Sequence, residues 1–94
     1  MNIKDKCTGA DKTKVCTTAF AAADSLQDYA PADQVLGSAV LFLLWCRRYG
    51  VDPKEMMTIS AQLLTQGIRE NNQHVGALTH FMRVDILDPK SFTF

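Results

Sequence analysis

The chain lacks a surplus of charge of either sign: ten Lys and Arg stand against ten Asp and Glu, for a formal net charge of zero. A general attraction to nucleic acid or to an anionic membrane needs a positive excess, so neither is expected as a bulk property. A long apolar run is missing too. The longest, Ala39 to Cys46, is eight residues between polar flanks, whereas crossing a bilayer takes about 20. Met1 to Thr8 carries Lys4 and Lys6 with no apolar stretch behind them, so no secretory signal is expected. Cysteine is scarce and odd in number: Cys7, Cys16 and Cys46 form no close pair, which suits a reducing cytoplasm better than a disulfide framework.

Signatures of catalysis are also lacking. There is no Gly-rich phosphate loop, no nucleophile elbow and no paired-histidine metal motif. His74 and His80 are six apart, which does not bring them onto one helix face, and neither has a cysteine beside it in sequence. Asp24 and Asp28 sit a turn apart on a polar face, where solvation fits better than general acid/base work. The expectation is a non-enzymatic chain with no catalytic residue, no cofactor and no metal.

What the chain does have is helical patterning. Hydrophobic residues make up 47% of its 94 residues, enough for one globular domain. Residues 1–10 show no periodicity and read as a flexible N-terminus, 11–88 as a helical domain and 89–94 as a C-terminal tail. A first helix is expected from near Asp11 to about Tyr29, with Cys16, Ala19, Phe20, Ala23 and Leu26 on one face. The second opens at Pro31 with Asp33 in its first turn and closes with Arg47 and Arg48 before Gly50. The third opens at Asp52-Pro53-Lys54-Glu55, where Asp52 caps the backbone and Glu55 is placed for a capping box. It shows two apolar stripes, Met56, Ile59, Leu63 and Met57, Leu64, Ile68, and ends at Asn71-Asn72. From Gln73 to about Leu87 a fourth helix is expected, although Val84 to Leu87 also suits an extended segment. Short links predict an all-α, up-and-down antiparallel bundle of three to four helices.

The second helix is apolar beyond one face. Val35, Ala39, Phe42 and Cys46 with Leu36, Val40 and Leu43 supply a broad core face. The other side runs Gln34, Ser38, Leu41, Trp45, Arg48. Either the tail covers Leu41 and Trp45, or they form a binding patch, Trp and Arg being enriched where interface energy concentrates. The terminal Phe92-Thr93-Phe94 allows the same two readings, folded back on its own bundle or docked elsewhere as a peptide. Arg47, Arg48 and Lys54 around Gly50 fit dipole complementarity at a helix end, with phosphate or an acidic surface as the functional counterpart.

The stretch from Ala39 through Trp45-Cys46-Arg47-Arg48-Tyr49-Gly50 and Asp52-Pro53 to Leu64 resembles small accessory proteins of tailed bacteriophages. In those, an aliphatic helix ends in an aromatic-Gly pair, followed by Asp-Pro and an amphipathic helix. The resemblance covers about a quarter of the chain and carries no site residues with it. It implies a protein of the bacterial cytoplasm that binds and modulates a host enzyme: a nuclease, a polymerase or a defence protein. The leading expectation is therefore protein binding, including a homodimer, with Leu41, Trp45 and Arg48 at the contact centre and Phe92 and Phe94 as a second contact. The alternative is a small helix-turn-helix-like DNA-binding regulator, against which stands the scarcity of basic residues in the groove-reading segments, Arg69 and Arg83 only.

Overall fold

A computed structural model describes residues 3–83. Five helices follow one another: α1 (Ile3–Thr8), α2 (Lys12–Leu26), α3 (Pro31–Tyr49), α4 (Pro53–Arg69) and α5 (Gln73–Phe81). No strand occurs among the described residues, so the fold is all-α as expected. No helix among them is long and apolar enough to cross a membrane. The fifth element is α1, which turns six residues of the aperiodic N-terminus into helix. Its Lys4 Nζ lies 3.0 Å from Glu55 Oε2 of α4. The Glu55 carboxylate, three residues after Asp52, thus also meets α1.

Local chemistry sets the helix ends. Asp11, Asp52 and Asn72 adopt extended backbone and their side chains accept from the first free N–H groups of α2, α4 and α5. Each capping bond satisfies a donor that a bare helix end leaves unpaired. Gly50 closes α3 at φ 66°, and Val51 N–H reaches back 3.0 Å to the Cys46 carbonyl. Asn71 closes α4 in the same way at φ 54°, with Asn72 N–H donating to the Gly67 carbonyl at 2.8 Å. Asn tolerates the left-handed region better than other residues with a Cβ. Asn71 therefore ends one helix while Asn72 begins the next, and the joint between α4 and α5 is tight. Helix α2 stops at Leu26, short of Tyr29, where Ala30 is held extended before Pro31. Gln34 Nε2 then donates to the Leu26 carbonyl at 2.8 Å, tying the start of α3 to the end of α2.

Packing departs from the expected order of neighbours. Helix α2 packs chiefly on α5, α5 also on α4, and α1 on α4. Among the described residues α3 packs chiefly on α4. Phe20 of α2 and Phe81 of α5 meet with ring centroids 4.3 Å apart. Val75 of α5, wholly buried, presses on Gly67 of α4 so closely that a Cβ there would lie 2.5 Å from Val75 Cγ2. Of the two stripes on α4, Met56 is buried with Ile59 and Leu63 half-buried, while Met57, Leu64 and Ile68 are exposed. The fully buried set among the described residues is Cys16, Cys46, Met56, Gly67 and Val75, which leaves much apolar surface on the outside.

Candidate protein-docking face

Most of that uncovered apolar surface lies on one helix. From Gln34 to Cys46, α3 carries no charged side chain, yet only Cys46 is buried and only Gln34 and Phe42 are half-buried in that stretch. The expected core face is thus corrected: Phe42 and Cys46 are covered, but Val35, Leu36, Val40 and Leu43 are exposed, Leu36 at 66% and Val40 at 55%. The reason is the order of neighbours. With α2 drawn onto α5, α4 is the main cover of α3 among the described residues, and one helix neighbour shields one narrow stripe of an all-round apolar cylinder.

The residues singled out from sequence fall around this helix. Leu41 and Trp45 are each 53% exposed. The Trp45 ring stacks on Tyr49 one turn later, with centroids 5.9 Å apart and planes 13° apart. The Arg48 guanidinium carbon lies 6.0 Å from the Tyr49 ring centroid, at the outer limit of a cation–π contact. Trp45, Tyr49 and Arg48 therefore form one cluster at the C-terminal end of α3, with Leu41 a turn before them. Phe92 and Phe94 lie outside the described residues.

Trp45 and Tyr49 also edge an open apolar hollow of about 460 Å³ between α3, α4 and the N-terminal helices, floored by Phe42, Cys46, Met56 and Ile59. All three thiols are free and all three border it. Burial pushes the Cys16 thiol above its ordinary value of 9.0, which keeps it protonated and a poor nucleophile.

By helical periodicity the side of α3 opposite Phe42 and Cys46 carries Asp33, Gly37, Val40, Leu44 and Arg47, a spacing of four, three, four and three. Helical patterning places Val40 in the core and assigns no role to Leu44, which is 54% exposed. The alternating spacing was the signal that marks them as a seam. Flanked by Leu36, Leu41 and Leu43, this side offers apolar surface on the order of 500 Å², a size at which exposed patches are commonly functional. No family model, no curated protein and no solved structure matches this chain. A functional reading therefore stands on the chain's own geometry.

Proposed function

We propose that the protein is a non-enzymatic docking module, which works by presenting the outer side of α3 to another protein. One observation carries this reading. A nineteen-residue helix, uncharged through its middle, exposes Leu36, Val40, Leu41, Leu44 and Trp45, an arrangement whose desolvation is favourable only against a matching apolar surface. Aromatic and arginine side chains at its C-terminal end supply the residue types that dominate interface energy. On the resemblance of residues 39–64 to accessory proteins of tailed bacteriophages, the setting is the bacterial cytoplasm and the partner class a host enzyme.

Retention of bacterial proteins on the immobilised wild-type chain, compared with a Leu41→Glu, Trp45→Ala variant, tests the reading. A retained protein that the variant loses supports it. An identical set on both refutes it. Retention of duplex DNA that weakens steeply with salt and survives the α3 substitutions would favour the DNA-binding alternative instead.

A further inference from the structure

We propose that the occupant of the outer side of α3 is a second copy of this chain, with the two α3 helices packed antiparallel about a two-fold axis close to Val40 and Leu41. This rests on the reading of that side as a docking face and places there a second copy in place of a host enzyme.

Charge argues for it first. The apolar seam has Asp33 at its N-terminal end and Arg47 and Arg48 at its C-terminal end, about 21 Å apart at the helical rise. Antiparallel self-pairing brings Asp33 of each copy beside Arg47 and Arg48 of the other, so both ends of the interface are matched by one symmetry operation. Parallel pairing would set like charge on like charge at both ends.

Side-chain size argues the same way. Along the seam the N-terminal half carries Gly37 and Val40 and the C-terminal half carries Leu44, with Leu41 beside it. In an antiparallel pair the small half of one helix receives the large half of the other, which is the condition for interdigitation. Gly37 adds an independent point. A Cβ built there meets nothing within 4 Å among the described residues, so none of their contacts calls for glycine in mid-helix, where it weakens the helix. The absent side chain leaves room at that point of the seam for a close helix from another copy.

Area is sufficient. Each copy offers apolar surface on the order of 500 Å², so a pair buries at most about 1000 Å² before Trp45 and the charged ends are counted, which is the lower bound for a specific interface.

Light scattering on the full chain over a dilution series tests the proposal. The wild-type mass should be twice the 10.4 kDa of one chain at high concentration. Leu44→Glu should give a single-chain mass with helical circular dichroism retained, because Leu44 is half exposed in the protomer. For orientation, Asp33→Arg should raise the dimer dissociation constant about tenfold, and the triple variant Asp33→Arg, Arg47→Asp, Arg48→Asp should return it to the wild-type value. A dimer indifferent to Asp33→Arg overturns the antiparallel arrangement, and a dimer that survives Leu44→Glu overturns the interface. A wild-type mass of one chain overturns the second copy as occupant. An α3-dependent retained protein would leave the docking face standing with a different partner.

Discussion

Gly67→Ala should destabilise the protein although it replaces a glycine inside a helix with the best helix former. At an open helical site the change stabilises by about 1 kcal/mol. Gly67 is not open: a Cβ there would lie 2.5 Å from Val75 Cγ2, 2.9 Å from Val75 Cβ and 3.1 Å from Val75 Cγ1. A rotation of the valine side chain cannot relieve the contact with Val75 Cβ, so α4 and α5 must move apart, and overpacking of this kind costs roughly 1–3 kcal/mol. The net expectation is a loss of about 1 kcal/mol, which for a domain of this size lowers Tm by about 4–8 °C. Gly76→Ala on α5 provides the control, since a Cβ there meets nothing within 4 Å, and it should raise Tm. Val75→Ala alone removes two methyl groups from a fully buried site and should cost about 2 kcal/mol. In the double variant both γ-methyl contacts disappear, so Gly67→Ala should become less harmful, with a coupling of about 1 kcal/mol in the cycle. Urea and thermal unfolding followed at 222 nm, all at one protein concentration, give the four values. A Gly67→Ala chain as stable as Gly76→Ala would refute the close approach of α4 and α5.

The same structure sets further expectations. Asn71→Ala should cost about 1 kcal/mol, because φ 54° strains a residue with a Cβ, whereas Asn71→Gly should be neutral or stabilising. Asn72→Ala should cost about 0.5–2 kcal/mol, since the Asn72 side chain accepts from both His74 N and Val75 N; chemical unfolding reads both. A thiol reagent should modify half-buried Cys7 well before buried Cys16 and Cys46, and equal rates under native conditions would contradict the burial. Burial raises the Cys16 pKa above its ordinary 9.0, so the folded chain holds that proton more tightly than the unfolded chain. The linked stability is complete below the unfolded value and is lost as pH climbs through the folded one. The urea midpoint should fall as pH rises above about 9, and Cys16→Ala should flatten that fall.

Much of the fold was legible because it is local. Asp11, Asp52-Pro53, Gly50 and Asn71-Asn72 act on backbone within a few residues, and each sits at the helix end where its chemistry placed it. Neighbour choice was not legible. Helical spacing tells which side chains of α3 share a face, but whether that face is covered depends on α2 turning to α5, a contact between segments far apart in sequence. The apolar breadth of α3 was read as core for Leu36 and Val40 and as a docking patch for Leu41 and Trp45; in the folded protomer all four are exposed. The approach of Gly67 to Val75 left one trace in the sequence, a glycine inside an otherwise regular amphipathic helix, which costs helix stability unless something packs against it. Helix α1 left none, since its six residues lack an amphipathic period and its Lys4 finds Glu55 only once α4 is in place.

The most direct measurement of the central claim is oxidative cross-linking of a Val40→Cys chain. Val40 is 55% exposed in the protomer and adjoins the proposed two-fold axis, where the Cβ atoms of two facing residues approach disulfide range. Mild oxidation should convert this variant to a covalent dimer far beyond the wild-type chain, and adding Leu44→Glu should abolish the product. A cross-linking yield equal to that of the wild-type chain would contradict the pairing of α3 with itself.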